Sequence, residues 1–231
     1  MSDNFLGLAP ADWQALWLSV RISAAAMALS LPAGIGVGWL LARKTFPGKA
    51  AVETLVALPL VLPPVVTGLV LLYLLGPRST LGGGLGLEIA FTWKAAVVAV
   101  AVVGFPLLVR SVRTAFEGVD PRLYQAARSL GAAPFDAFWS VSLPLARHGV
   151  IAGLVLAFAR GLGEFGATMM FASVRPETTT LAIQIYVLHN QPGDVSEARM
   201  WRVVIASIVL AFASLVLSEY FVRRGRQHEL A

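Results

Sequence analysis

The sequence predicts an all-α fold, a polytopic helical membrane protein in which residues 1–231 form one transmembrane domain. Composition is the first reason, since 57% of the residues are hydrophobic, only 13% are charged and the mean hydropathy is +0.74. Soluble domains carry about 25% charged residues. The second reason is that several apolar runs reach the about 20 residues that a helix needs to cross a bilayer. These runs offer water no polar face, which argues against a soluble enzyme.

Five hydrophobic segments are predicted to span the membrane. They cover residues 14–42, 51–75, 92–116, 146–172 and 200–222. The first and fourth are long enough to tilt or to continue past the membrane. An apolar stretch within 180–191 is too short to cross alone, so five spans are favoured over six.

The distribution of basic residues predicts the orientation, with the N-terminus outside and the C-terminus in the cytoplasm. In that orientation eleven basic residues face the cytoplasm: Arg43, Lys44, Lys49, Arg110, Arg113, Arg122, Arg128, Arg147, Arg223, Arg224 and Arg226. Five face outside: Arg78, Lys94, Arg175, Arg199 and Arg202. The N-terminal tail agrees, because its charged residues before Arg21 are Asp3 and Asp12. The net charge of +5 therefore indicates membrane topology, and no nucleic-acid partner is expected.

The sequence offers no catalytic or metal-binding constellation. Cysteine is absent, and His148, His189 and His228 are scattered without ligand spacing, so no metal site is predicted. Neither paired carboxylates, HExxH nor a Ser/Lys arrangement supports a membrane-embedded enzyme. The glycine-rich G-K-[ST] loop is missing too, so this chain is not expected to bind ATP itself.

Proline residues predict a bend in the second span. Pro59, Pro63 and Pro64 remove backbone donors there, which frees carbonyl groups that are tolerable only against protein or water. Thr67 and Gly68 follow one turn later. A bend of this kind fits either a helix that lines a polar pathway or a packing kink.

The segment 120–144 is a charged, amphipathic interruption between two spans. Asp120 is placed to cap a helix that begins at Pro121, and Gly131 is placed to end it. A second short helix is predicted from Pro134, and Pro144 is expected to stop it before the next span. The first helix has one apolar face, made of Leu123, Ala126, Ala127 and Leu130. By its chemistry alone, this segment fits an interfacial helix that lies on lipid headgroups.

The fourth span contains “FARGLGEFGATMMF” (158–171). A carboxylate such as Glu164 costs several kcal/mol inside an apolar span unless it is paired or hydrated, so this residue is a candidate functional site. It fits a structural anchor that binds Arg160 or freed backbone amides better than a group that contacts cargo. Gly161, Gly163 and Gly166 allow close helix approach or a break in the helix.

The spacing within 120–144 resembles the EAA loop of ATP-binding-cassette (ABC) importer permeases. That pattern is E-A-A, three residues, glycine, nine residues, a β-branched residue, one residue and L-P. The chain matches it with Gln125, Ala126, Ala127, Gly131, Val141, Leu143 and Pro144. The one departure is Gln125 in place of glutamate, which puts in doubt any salt bridge to the ATPase and leaves a hydrogen bond.

The resemblance implies a type I ABC importer transmembrane domain in a bacterial inner membrane. It implies a homodimer, coupling helices at 120–144 that dock on two copies of an ATPase subunit, and ATP with Mg bound by that ATPase. A periplasmic or lipid-anchored oxyanion-binding protein is implied as well.

The segment 163–168 is similar to the signature of oxyanion permeases for molybdate, tungstate and sulfate, and “LPLVLPPVVTG” (58–68) and “PETTTLAIQIY” (176–186) are similar to the molybdate branch. This resemblance implies a molybdate or tungstate importer. A sulfate or thiosulfate ABC permease and an ion-coupled secondary transporter are the alternatives. The candidates for the translocation pathway or gate are Pro63, Pro64, Thr67, Gly163, Glu164, Gly166 and Thr168.

Overall fold

The computed structural model describes residues 7–229, with side chains described up to residue 223. This part of the chain contains ten α-helices: α1 (Pro10–Arg43), α2 (Lys49–Val61), α3 (Pro64–Leu75), α4 (Trp93–Glu117), α5 (Pro121–Ser129), α6 (Pro134–Ala137), α7 (Leu143–Leu162), α8 (Gly166–Phe171), α9 (Leu181–His189) and α10 (Asp194–Glu229). The predicted all-α membrane fold is confirmed. Asp3 lies outside the described residues, as do the side chains of Arg224, Arg226 and His228.

Four helical segments are long and apolar enough to cross a membrane, or five if the bent pair α2–α3 counts as one span. The bend between α2 and α3 is 112° and lies at the prolines Pro63 and Pro64. Proline at these positions cannot donate to the helical ladder of the preceding turn, so α2 ends and α3 starts in a new direction. The short helix α9 matches the apolar stretch that was judged too short to cross.

Helix α4 lies at the centre of the bundle, with 67% of its apolar segment buried against 11% for α10. Two glycines of α1 explain the close packing of α1 on α4. A Cβ on Gly34 would lie 2.7 Å from Leu108, and one on Gly38 would lie 2.5 Å from Val112. Small residues four positions apart allow this approach, which gains van der Waals contact where lipid offers no hydrophobic drive.

Helix α7 packs on another side of α4 in the same manner. Cβ atoms on Gly149 and Gly153 would lie 2.5 Å from Ala115 and 2.6 Å from Ser111. The Ser111 hydroxyl donates a hydrogen bond of 3.1 Å to the Gly149 carbonyl. Helices α1, α4 and α7 therefore form a closely packed unit around which the other elements are arranged.

The fourth predicted span, 146–172, differs from the structure at both ends. The helical backbone begins at Pro134 and ends at Leu162, residues 163–165 are not helical, and α8 starts at Gly166. The glycines of this segment thus break the helix, as one of the two sequence interpretations proposed.

The prediction that Pro144 stops the second short helix is wrong. Residues Phe138–Ser142 form a π-helical turn that joins α6 to α7, with the Leu143 amide donating to the Phe138 carbonyl. A proline ring clashes with the carbonyl four residues before it in a regular α-helix. The wider π turn changes the bonding pattern just before Pro144, so the helix continues through it.

A buried polar network ties together the ends of α1, α9 and α10 near the N-terminus. Arg199 forms two hydrogen bonds of 2.8 Å with the buried Asp12 carboxylate, and the Gln184 amide donates a third at 2.8 Å. The Ser19 hydroxyl nearby accepts a bond of 2.7 Å from the Leu181 amide. Because a buried carboxylate without partners is costly, this network fixes the position of the short α9.

Candidate functional site

The structure places the sequence-predicted residues in two separate regions. The first is the segment from α5 to the start of α7, here called the coupling segment (residues 120–144). The second is the contact between α3 and α8, here called the crossing (residues 63–71 and 163–171). The coupling segment packs on the ends of α1 and α4, whereas the crossing is formed by α3 and α8.

Local sequence determines the shape of the coupling segment. The Asp120 carboxylate accepts a 2.8 Å bond from the Arg122 amide and caps α5. At the other end, Gly131 has φ +94°, a conformation that side chains with Cβ disfavour. The Gly131 amide donates to Arg128 and the Ala132 amide to Ala127, which is the Schellman arrangement. The predicted start and end of α5 are therefore confirmed by hydrogen bonds.

One side of the coupling segment is anchored to the bundle by an aromatic cluster. The Phe138 ring lies 5.7 Å from Trp39 of α1 and 5.9 Å from Phe116 of α4, measured between ring centroids. Phe116 is fully buried, and Ser142, one turn after Phe138 in the chain, is also buried. This cluster determines where the coupling segment sits relative to α1 and α4.

The opposite side of the segment is exposed and apolar. Helix α5 contains no buried residue. Leu130 is 88% exposed and Phe135 is 70% exposed, and Leu123 and Trp139 are about half exposed. The motif residues Gln125 and Ala126 are exposed, whereas Ala127, Val141 and Leu143 are half-buried. An exposed apolar surface on a rigid support is a feature of interaction sites.

At the crossing, Glu164 compensates for the break in the fourth span. Its carboxylate is buried, forms a 2.9 Å ion pair with Arg160 and accepts a 2.9 Å hydrogen bond from the Ala167 amide. The Thr168 hydroxyl donates a 2.9 Å bond to the Phe165 carbonyl. Glu164 therefore has the geometry of the structural anchor, with one oxygen for the cation and the other for the backbone amide that the break frees.

The two bent spans meet in direct backbone contact. A Cβ on Gly166 would lie 2.9 Å from Pro64, and a Cβ on Gly68 would lie 2.7 Å from both the Cα and the carbonyl oxygen of Ala167. Among the pathway candidates, Pro64 and Gly166 thus come together. Gly163 is exposed, and a Cβ there would have only the Arg160 carbonyl oxygen within 4 Å. Pro63 is exposed at the start of α3.

Thr67 occupies an unusual place at the crossing. It is 5% exposed, and within the described part of the chain its buried hydroxyl has no hydrogen-bond partner. A buried hydroxyl without a partner costs free energy, so such a group calls for an explanation.

Sequence reasoning missed two ion pairs and one hydrogen bond that position these regions. Arg113 of α4 binds Glu53 of α2 at 2.8 Å and Glu117 at 2.7 Å. Arg43, the last residue of α1, donates a 2.6 Å bond to the Val119 carbonyl just before the coupling segment. Only the Arg113–Glu117 spacing of four residues could have been read from the sequence. Across residues 7–223, no group of three or more acidic or histidine side chains could hold a metal ion.

The family model described as “Binding-protein-dependent transport system inner membrane component” matches residues 34–227. The chain belongs to this family. It is a multi-pass inner-membrane component of a transport system that works with a binding protein. The permease family that the EAA-like spacing indicated is thereby confirmed.

Relatives of this permease include the molybdenum transport system permease protein ModB of Escherichia coli (strain K12). It is 50% identical over 221 residues, which cover 94% of this chain and 96% of the relative. The ModB protein of Haemophilus influenzae is 45% identical over 215 residues, which cover 91% and 93%. The matches thus span nearly the full length of both relatives.

Solved structures show the same fold. The MetNI methionine ABC transporter in inward-facing conformations matches with a TM-score of 0.72 at 19% identity, covering 97% of this chain and 99% of that one. A bacterial ABC transporter involved in alginate import matches with a TM-score of 0.64 at 17% identity, covering 96% and 81%. The expected fold of an ABC importer permease is confirmed.

Gly68→Ala is expected to destabilise the permease, because the added Cβ would meet backbone atoms of Ala167 that cannot move aside. Overpacking of this kind costs about 1–3 kcal/mol. The thermal unfolding midpoint of the purified protein in detergent should fall by several degrees. Gly36→Ala is the matched control, since a Cβ there has nothing within 4 Å. If the midpoint of Gly68→Ala is equal to or higher than that of the unsubstituted protein, α3 and α8 are not in this contact.

Proposed function

We propose that this chain is the permease subunit of an ABC importer that carries molybdate into the cytoplasm, with tungstate as a second cargo. The observation that carries this proposal is the 50% identity to Escherichia coli ModB over 94% of the chain. The two oxyanions are nearly isosteric, so a pathway that accepts one accepts the other.

The proposed assembly contains two copies of this chain, two ATPase subunits that bind ATP and Mg, and a periplasmic or lipid-anchored oxyanion-binding protein. The surface of α2 and α3 supports the homodimer. No residue of α2 is buried, and Val61 is 79% and Tyr73 76% exposed. A second copy placed against these helices would enclose a pathway that one subunit leaves open.

In the proposed orientation the N-terminus lies outside and the coupling segment lies in the cytoplasm. The excess of basic residues on the coupling-segment side supports this arrangement. The exposed apolar surface of Leu123, Leu130, Phe135 and Trp139 would then be covered by the ATPase. Gln125 contributes a hydrogen bond there and no charge.

Coupling follows from the way the segment is held. Phe138 fixes the coupling segment to α1 and α4, so a displacement by the closing ATPase subunits is transmitted to the bundle. ATP binding favours the outward-facing state only to the extent that the ATPase binds that state more tightly.

The crossing of α3 and α8 is the proposed gate. Pro63, Pro64 and Thr67 belong to one bent span and Gly163, Gly166 and Thr168 to the other. Glu164 holds the break in place and does not contact cargo in this proposal, because an anion would be repelled by its carboxylate. Transport requires weak sites along the pathway, so high affinity belongs to the binding protein.

Cysteine labelling tests the orientation, because the chain has no cysteine of its own. Leu85→Cys introduces a thiol in the loop between α3 and α4, and Leu130→Cys introduces one in the coupling segment. These positions are 68% and 88% exposed. In cells that express the permease without its ATPase, an impermeant maleimide should label Leu85→Cys before lysis and Leu130→Cys only after it. The opposite pattern would refute a cytoplasmic coupling segment.

Gly131→Val is expected to uncouple transport. The left-handed conformation at φ +94° costs a residue with Cβ roughly 1–2 kcal/mol, so the loop should distort and uptake should fall by about tenfold. Uptake and binding-protein-stimulated ATPase activity are measured in proteoliposomes. Gly86→Val is the matched control, because Gly86 also has positive φ and open surroundings but lies in the loop between α3 and α4. Equal activity of both variants would contradict the docking role.

Competition of uptake tests the cargo. Excess tungstate should suppress the uptake of labelled molybdate into proteoliposomes that contain the complete transporter, whereas excess sulfate should not. Suppression by sulfate at equal concentration would favour the sulfate or thiosulfate permease. Uptake that follows an ion gradient and persists without the ATPase would favour a secondary transporter.

A further inference from the structure

Arg160 is a cation on the last turn of α7, inside the apolar fourth span. One of its N–H groups binds the Glu164 carboxylate at 2.9 Å. A guanidinium has several further donors, and those of Arg160 have no hydrogen-bond partner within the described part of the chain. The Arg160 side chain is 32% exposed, whereas that of Glu164 is 1% exposed. The ion pair therefore presents its cation outward and keeps its carboxylate behind.

The contacts of the neighbouring Gly161 show that Arg160 lies at membrane depth. A Cβ on Gly161 would lie 2.6 Å from Val100 of α4 and 3.2 Å from the Ser23 hydroxyl of α1. By helix rise, Val100 is about 10 Å inside the end of α4 at Trp93. A guanidinium that faces hydrocarbon at this depth is costly, and such groups face a bundle interior or a water-filled space instead. The exposed side of Arg160 therefore requires polar surroundings.

The flank of α7 that carries Arg160 is directed away from α1 and α10 and borders the crossing. Phe158 lies in the groove that α7 forms with α1 and α10. At 3.6 residues per turn, Arg160 lies about 160° around the helix from Phe158. Its partner Glu164 accepts a hydrogen bond from the Ala167 amide, and a Cβ on Gly68 of α3 would touch Ala167. Arg160 is thus joined through Glu164 to the contact between the two bent spans.

The chemistry of this pair suits a weak contact with a tetrahedral oxyanion. Guanidinium N–H groups form charge-assisted hydrogen bonds with anionic oxygen atoms, in a fixed fork geometry. The Glu164 carboxylate reduces the attraction for an anion, because it places an opposite charge 2.9 Å from the guanidinium nitrogen. An anion can therefore bind to Arg160 and leave again, as passage along a pathway requires.

We propose that Arg160 contacts the oxyanion as it passes the crossing, and that Glu164 sets the strength of this contact from behind. In the importer given under the proposed function, on which this inference rests, the spare N–H donors of Arg160 recognise the negative charge of the cargo. Glu164 stays out of contact with the cargo because its side chain is covered. Arg160 is thus a specificity-determining residue of the gate, and its ion pair serves both the fold and the passage of the anion.

Proteoliposomes with the complete transporter test this proposal, with uptake of labelled molybdate and ATP hydrolysis measured in the same preparation. The double variant Arg160→Gln/Glu164→Gln removes the cation and keeps an amide oxygen that can accept from the Ala167 amide. Uptake per ATP hydrolysed should fall about tenfold, as expected for the loss of one hydrogen bond to a charged group. ATP hydrolysis stimulated by the binding protein should stay near the wild-type rate, because the coupling segment is unchanged.

Arg160→Lys is the second variant, and it keeps the ion pair and the positive charge without the guanidinium fork. Its uptake per ATP should lie between those of wild type and the double variant. Glu219→Gln/Arg223→Gln is the matched control, because it neutralises another ion pair of the same four-residue spacing on α10. Its uptake per ATP should equal that of wild type.

An unchanged uptake per ATP in a folded double variant would overturn the proposal. Uptake and ATP hydrolysis that fall together would also overturn it, since a purely structural role of the ion pair predicts that result. If the double variant does not fold, an unchanged uptake per ATP in Arg160→Lys overturns the proposal in its place. Failure of the proposed function is distinguishable from these outcomes, because wild type would then take up no molybdate.

Discussion

Every backbone polar group must find a partner inside the membrane, and the Glu164 carboxylate meets this requirement at the break in the fourth span. A helix that breaks at residues 163–165 frees amides that lipid cannot satisfy. The Glu164 carboxylate accepts a hydrogen bond from one of these amides, that of Ala167, and its charge is neutralised by Arg160. With these contacts in place, Gly166 approaches Pro64 and the second bent span can cross the first. Without the carboxylate, the crossing would contain an unsatisfied amide and an unpaired arginine.

Around this crossing the bundle divides into a tightly packed part and a loosely attached part. Glycine pairs bring α1 and α7 into close contact with α4, and such contacts resist sliding because side chains of the partner fill the space that a Cβ would need. Helix α2 has no buried residue, and the ion pair between Glu53 and Arg113 links it to α4. Since partly exposed ion pairs contribute little stability, α2 is held to α4 less tightly than α1 or α7 is.

The features that the sequence predicted well are those encoded within a few residues. Asp120, Pro121 and Gly131 determine the start and end of α5 through bonds to their own neighbours, and the prolines determine the bend between α2 and α3. The Asp12–Arg199 pair escaped prediction because its members are 187 residues apart, although an aspartate in the first turn of an apolar helix was a visible signal. The spacing of Gly34 and Gly38 was likewise readable, but which helix would pack on it was not. At Pro144, a local rule failed because the π turn before it changed which carbonyl lies beneath the ring.

That π turn has a geometric consequence. A π turn equals one residue inserted into an α-helix, which advances the azimuth of everything beyond it by about 100° at 3.6 residues per turn. Phe138, at the start of the π turn, faces the bundle, while Phe135 and Trp139 are exposed. The orientation of these three rings relative to α7 depends on the one extra residue in the turn. An α-helical segment of the same length would present a different flank of α6 to the surroundings. The turn therefore fixes the azimuth at which this short helix emerges from the span.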